Sequence, residues 1–193
     1  PKIIAVTGTN GKTSVTMYTF NALKKLNINC LLIGTEENIS FYNGRLRYIR
    51  ASNTTPSITT IYQLMMEHPY KYLIMEASSQ GICEGRLLGL TFRVACFTNI
   101  TQDHLDYHKT MDNYANAKSR IVYQLEDEGI LILNRDMNYF TEIKKLSINR
   151  IYTYSIQDDT AMIYGRIIDR KIGGMKVAID TLSKKKIINT KLM

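Results

Sequence analysis

The sequence predicts an α/β fold: a mainly parallel sheet flanked by helices, with a P-loop-like phosphate loop and a small antiparallel β-subdomain. Three observations predict it. Short apolar runs alternate with helix-period patterns through the first 135 residues, the signature of strands covered by crossover helices. A glycine-rich segment, Gly8-Thr9-Asn10-Gly11-Lys12-Thr13, joins the first apolar run to the first helical pattern. From Arg150 onward polar and apolar residues alternate, the period of half-buried strands.

The elements follow in order. Residues 3–7 read as a buried strand, being almost wholly aliphatic. Residues 14–26 read as a helix with Val15, Tyr18, Ala22 and Leu26 as its inward stripe. Residues 30–33 form a second apolar run, and residues 39–50 place Asn43-Gly44 between aromatic and β-branched residues, a hairpin signal. Residues 58–66 read as a helix with Ile58, Ile61, Tyr62 and Met65 on one face. Residues 72–75, 94–97 and 130–133 are further strands, and residues 112–125 a helix directing Tyr114, Ile121, Val122 and Leu125 inward. Residues 151–154, 162–168 and 175–179 alternate, with Gly173-Gly174 supplying a turn. The expected division is an α/β core over 1–149 and an antiparallel β-subdomain of the same domain over 150–193, cut short at its end.

Composition narrows the function. The chain has 193 residues, 45% hydrophobic and 22% charged, ordinary for a soluble globular domain. No window approaches the roughly 18 uninterrupted apolar residues of a membrane span. The opening apolar run is too short for a signal-peptide core. Cys30, Cys83 and Cys96 are dispersed and form no CxxC pair, so neither a disulfide framework nor a cysteine zinc site is expected, and a cytoplasmic compartment fits best. Of the net charge of +8, residues 140–193 supply most, with eleven Lys or Arg against five acids. With no aromatic-rich RNA signature and no helix-turn-helix, that excess reads as a solvated basic face rather than a nucleic-acid site.

Gly8 to Thr13 has the context a phosphate loop requires, following a buried strand and opening a helix. Its glycines let backbone N–H groups approach phosphate oxygens, and the helix N-terminus adds its positive dipole end. Lys12 would reach the β- and γ-phosphates, and the Thr13 hydroxyl would ligate Mg²⁺. Val6 stands where the usual motif has its first glycine, so this is a shortened variant. Ligands of open α/β sheets sit beyond the carboxyl ends of the strands. Three other strands deliver polar residues there: Glu76 to Ser79, Thr98 to His104, and Asn134-Arg135-Asp136. Glu76 is therefore placed to share a Mg²⁺ with Thr13.

The order and spacing of five segments resemble the central, ATP-binding domain of the Mur ligases, most closely the tripeptide-synthetase (MurE) branch. They are Gly8 to Thr13; Asn53-Thr54-Thr55-Pro56; Met75-Glu76-Ala77-Ser78-Ser79; Phe97 to His108; and Tyr114-Ala115-Asn116-Ala117-Lys118. The phosphate loop alone would also admit folylpolyglutamate synthetases. The resemblance implies ATP-dependent amide-bond synthesis through an acyl phosphate, adding a diamino acid to UDP-MurNAc-L-Ala-D-Glu in peptidoglycan precursor synthesis. It implies ATP and Mg²⁺ as cofactors, ATP contacts from Gly8, Thr9, Asn10, Gly11, Lys12, Thr13 and Ser14, and metal ligation by Thr13, Glu76, His104 and a carbamylated Lys118. Lys12, His104 and Lys118 become the catalytic set, and Asn53, Thr54, Thr55, Ser78 and Arg86 contact the muramoyl peptide. Two positions depart from the family pattern: Gln80 replaces its usual His, and Glu84 its common Gln. The family's uridine-binding and amino-acid-selecting domains, and its adenine-holding Asn segment, have no counterpart in these residues, so a fragment is expected whose own ligase activity is absent. The alternative reading is a nucleotide-binding module without catalysis; retention of Glu76, His104 and Lys118 favours the enzyme.

Overall fold

The computed structural model describes residues 1–181 and 183–191. Its elements are β1 (Lys2–Thr7), α1 (Lys12–Lys25), β2 (Cys30–Ile33), β3 (Glu37–Tyr42), β4 (Arg45–Arg50), α2 (Ile58–Met66), β5 (Tyr72–Glu76), α3 (Ser79–Cys83), β6 (Phe92–Phe97), α4 (Leu105–His108), α5 (Met111–Ser119), a 3-10 turn (Arg120–Gln124), β7 (Leu125–Asn134), α6 (Phe140–Lys145), β8 (Arg150–Ser155), β9 (Ile163–Lys171), β10 (Gly174–Thr181) and β11 (Lys185–Lys191). All strands join one sheet in the order β11-β10-β9-β8-β7-β6-β1-β5-β2-β3-β4. From β2 to β8 every neighbouring pair is parallel. The hairpin β3–β4 caps one edge, and an antiparallel ribbon of β9, β10 and β11 caps the other. Among the described residues no helix is long and apolar enough to cross a membrane.

The period-2 alternation of the strands sorts the core onto two faces. One face carries Ile3, Ala5, Leu31, Leu73, Met75, Ala95, Phe97 and Leu131, packed against Ile61 and Leu64 of α2, Ile82 of α3, Tyr114 of α5 and Ile143 of α6. On the other, Leu32, Ile39, Phe41 and Ile74 pack against Phe20 of α1. These strands are buried on both sides, as parallel strands are.

Four expectations change. The inward stripe of α1 is Thr16 and Phe20, while Tyr18 and Leu26 are 57% and 70% exposed. Thr16 enters the core because its hydroxyl donates to the Thr13 carbonyl at 3.0 Å, so the residue is already hydrogen-bonded and its polarity is no bar to burial. On α2 the buried pair is Ile61 and Leu64, and Tyr62 faces outward. The stretch 112–125 is α-helical only to Ser119; the 3-10 turn then carries Ile121 and Val122 inward, and Leu125 begins β7. The antiparallel unit also begins later than residue 150. β8 pairs in parallel with β7, from Ile130 against Arg150 to Asn134 against Tyr154, because α6 provides the crossover that parallel neighbours need. Antiparallel pairing starts at β9. The hairpin at Asn43-Gly44 forms as expected.

Candidate active site

The carboxyl ends of β2, β5, β1, β6 and β7 lie side by side, and the loop after β1 sits at their centre. Gly8 has φ +144°, and a Cβ there would stand 1.9 Å from Thr98 Oγ1. Only glycine fits, because β6 supplies the loop's bracing at that point. The Thr9 N–H donates to the Asn99 carbonyl (2.9 Å). The Asn10 N–H donates to Asn99 Oδ1 (2.9 Å), and Thr98 Oγ1 and Asn99 Nδ2 donate to the Asn10 carbonyl (2.6 and 3.0 Å). The Thr98 carbonyl is itself held by Asn134 Nδ2 at 2.8 Å and by the Tyr154 hydroxyl at 3.2 Å. Gly11 caps α1, so the helix N-terminus opens toward the loop.

Lys12 folds its ammonium back over the loop, donating to the carbonyls of Gly8 (3.0 Å) and Thr9 (2.9 Å). Burial lowers its pKa, and Glu76 and Asp103 partly offset that. Glu76 is 1% exposed at the end of β5. Its carboxylate accepts from Thr13 Oγ1 (3.1 Å), the Thr35 N–H (3.0 Å) and Thr35 Oγ1 (3.0 Å). Three donors satisfy this buried carboxylate, and it lies beside the hydroxyl that follows the phosphate-loop lysine.

Lys118 approaches the loop from α5. It is 1% exposed, donates to the Gly8 carbonyl at 2.9 Å, and lies 4.5 Å from the centre of the Tyr114 ring. Burial, then the neighbouring Lys12 charge, push its pKa down to about 7. Two lysine ammoniums thus share one carbonyl. Tyr114 links them to the rest of the site: its hydroxyl meets Thr9 Oγ1 at 3.2 Å, and its ring lies against His108. The buried His108 pairs with Ser79 Oγ at 2.9 Å. His104 is half-exposed, carries φ +51° at the start of α4, and has Asp103 Oδ2 3.5 Å from its Nε2.

A cavity of about 410 Å³ opens here, lined by Thr9, Asn10, Gly11, Lys12, Thr13, Thr35, Asn53, Thr54, Thr55, Glu76, Ser78, Gln80, Arg86 and His104. It gathers most of the residues singled out in the sequence. Gly8, Ser14 and Lys118 are outside its lining: Gly8 and Lys118 lie beneath the loop, and Ser14 is exposed on α1. Thr55 lines the cavity, but its hydroxyl is already used, donating to the Glu76 carbonyl and accepting from the Ser78 N–H, both at 2.9 Å. Arg86 donates to the Thr55 carbonyl at 2.8 Å and pairs with Glu84. Thr35 was not among the sequence candidates. The rule that selects Glu76, a polar residue just past a central strand, also reaches Thr35 one residue beyond Gly34 and β2.

Among the described residues no three His, Cys, Asp or Glu side chains cluster as a metal cage. The donors present, the Thr13 hydroxyl and the Glu76 carboxylate, are instead the sparse oxygen set that suits Mg²⁺ when phosphate oxygens and water complete the shell.

A family model described as the Mur ligase middle domain matches residues 6–193. The UDP-N-acetylmuramoyl-L-alanyl-D-glutamate–2,6-diaminopimelate ligase of Caldanaerobacter subterraneus subsp. tengcongensis is 33% identical over 193 residues, covering 98% of this chain and 39% of the relative. The corresponding L-lysine ligase of Staphylococcus haemolyticus is 35% identical over 185 residues, covering 92% of this chain and 36% of the relative. A solved diaminopimelate ligase structure superposes with a TM-score of 0.86 at 27% identity, over all of this chain and 39% of that one. The chain therefore spans about two-fifths of the length of the relatives it matches. The family model and these relatives show that the chain belongs to the Mur ligase middle-domain family.

Proposed function

We propose that the chain is the ATP- and substrate-binding core of a ligase that adds a diamino acid to UDP-MurNAc-L-Ala-D-Glu through an acyl phosphate. The observation that carries this reading is one cleft with two unlike ends. At one end are the phosphate loop, Lys12, Thr13 and Glu76; at the other are Asn53, Thr54, Ser78 and Arg86. ATP phosphates bind the loop N–H groups and the open end of α1. Lys12 leaves the Gly8 and Thr9 carbonyls to meet the terminal phosphate. Arg86 holds an acidic group of the muramoyl peptide so that its reacting carboxylate faces that phosphate. Thr13 and Glu76 would hold a Mg²⁺, whose charge would offset the repulsion between a carboxylate and a polyphosphate. His104 stands on the same cavity wall as a second ligating group.

Lys118 fits carbamylation. Its lowered pKa, to about 7, keeps part of the amine neutral at physiological pH, and only the neutral amine adds CO₂, with loss of one proton. The product is an anion where a cation now faces Lys12, and it extends the oxygen set of the site. Uridine recognition and choice between lysine and diaminopimelate fall to parts of the relatives that this chain does not span; relatives of both specificities match it about equally well.

The phosphate half is tested by Lys12→Ala. Titration calorimetry with Mg·pyrophosphate and Mg·ATP should show no detectable binding to the variant, with its circular dichroism unchanged. Equal affinities in variant and parent would remove Lys12 from the site.

A further inference from the structure

At the substrate end of the cleft Arg86 forms an ion pair whose carboxylate, Glu84, the reading above does not use. Helix α3 stops at Cys83, with Glu84 as its C-cap. The Gly85 N–H donates to the Ile82 carbonyl (3.1 Å) and the Arg86 N–H to the Gly81 carbonyl (2.9 Å). That is the paired-bond helix stop that a left-handed glycine permits, and Gly85 has φ +72°. The turn reverses the chain so that residues 84 and 86 project together, and the Arg86 guanidinium bonds the Glu84 carboxylate. On its other side Arg86 donates to the Thr55 carbonyl at 2.8 Å. The guanidinium is thus fixed between a buried carbonyl and a carboxylate at the rim, the two side chains being 29% and 43% exposed.

Lys12 and Arg86 are the lysine and arginine side chains that line the cavity. Lys12 is engaged by the phosphate loop, and Glu76 accepts from Thr13 and Thr35. An acidic group entering the substrate end therefore meets Arg86, with Glu84 bound to its far nitrogen. We propose that Glu84 is a specificity-determining residue: its carboxylate positions Arg86 and offsets its charge, so the cleft favours an acidic ligand over the corresponding amide less strongly than an unopposed arginine would. This rests on the proposed muramoyl-peptide reading. The effect is local, because the pair sits at the surface and is partly screened.

Glu84→Gln separates the two effects of the carboxylate, since a glutamine oxygen still accepts from Arg86 but carries no charge. The probes are UDP-MurNAc-L-Ala-D-Glu and the same compound with one glutamyl carboxylate converted to its amide, titrated into the isotopically labelled chain by NMR at low salt. The acid should bind Glu84→Gln about threefold to tenfold more tightly than parent, as expected for removing one partly screened charge several ångströms away. The amide should change less than twofold, and in an Arg86→Gln background the acid should bind more weakly than to parent. A merely structural role would move both ligands together, so parallel changes overturn the proposal, as does an unchanged acid-to-amide ratio. If neither compound binds parent or variant while Mg·pyrophosphate still does, the muramoyl-peptide reading falls, and this inference with it.

Discussion

The parallel half of the sheet and the antiparallel ribbon of β9 to β11 belong to one sheet, yet the candidate site lies only in the first. Around the phosphate loop each strand ends in a segment whose polar groups are bonded by the neighbouring loop: Thr98 and Asn99 hold Asn10, Thr35 and Thr13 hold Glu76, and Lys118 meets Gly8. In the ribbon Ile163, Ile167 and Ile168 remain 42 to 47% exposed. Its ion pairs, Lys171–Asp169 and Lys185–Asp180, are exposed as well. Parallel strands are buried on both faces and all end at one edge, so polar groups converge there under low-dielectric conditions and must satisfy one another. Hairpins return each antiparallel strand to where it began and leave both faces solvated. Buried polar groups are costly to misplace, and solvated apolar ones are not.

The sharpest test compares two glycines. Gly8→Ala forces a Cβ to 1.9 Å from Thr98 Oγ1 at φ +144°; it should destabilise the chain by about 3 kcal/mol or more and abolish pyrophosphate binding. Gly173→Ala, at φ +95° with nothing within 4 Å, carries only backbone strain and should cost about 1 kcal/mol. Urea denaturation giving equal losses would erase the distinction between the regions.

Lys118 breaks the comparison by pH. Its pKa of about 7 lies below its ordinary 10.5, so between those values the unfolded chain binds the extra proton and stability rises with pH. The burial cost is complete below pH 7 and fades toward pH 10.5. Relative to Lys118→Met, the parent should gain about 3 kcal/mol between pH 6.5 and 9.5 in Mg²⁺- and CO₂-free buffer. A constant difference between the two denaturation curves across that range would show that Lys118 is not desolvated.

The smallest contrast is a hydroxyl against a methyl-bearing side chain. Tyr114→Phe removes the bond to Thr9 Oγ1 and should cost about 1 kcal/mol and weaken pyrophosphate binding severalfold. Ile167→Thr in the ribbon should stay within about 0.5 kcal/mol with no effect on pyrophosphate. Calorimetric melting and titration of both variants read the difference.

The parallel strands are anticipated by short apolar or alternating runs, β3 and β4 by the Asn43-Gly44 hairpin signal, and the phosphate loop by its glycines between a strand and a helix, because backbone conformation and period are local properties. The stripe of α1 is misread because Thr16 is buried by a hydrogen bond inside its own helix, which residue type alone does not reveal. The pairing of β8 is misread because alternation marks a strand but not its partner's direction. At the site, local sequence names Lys12 and Glu76, and the family resemblance adds His104 and Lys118. It does not show that Lys12 and Lys118 share the Gly8 carbonyl, that Thr35 completes the shell of Glu76, or that Glu84 grips Arg86. The sequence by itself determined the strands, the loop and the identity of the ionisable groups. Only the tertiary structure decided which of those groups face one another, because hydrogen bonding and charge coupling depend on distances that the packing of β1 between β5 and β6 sets.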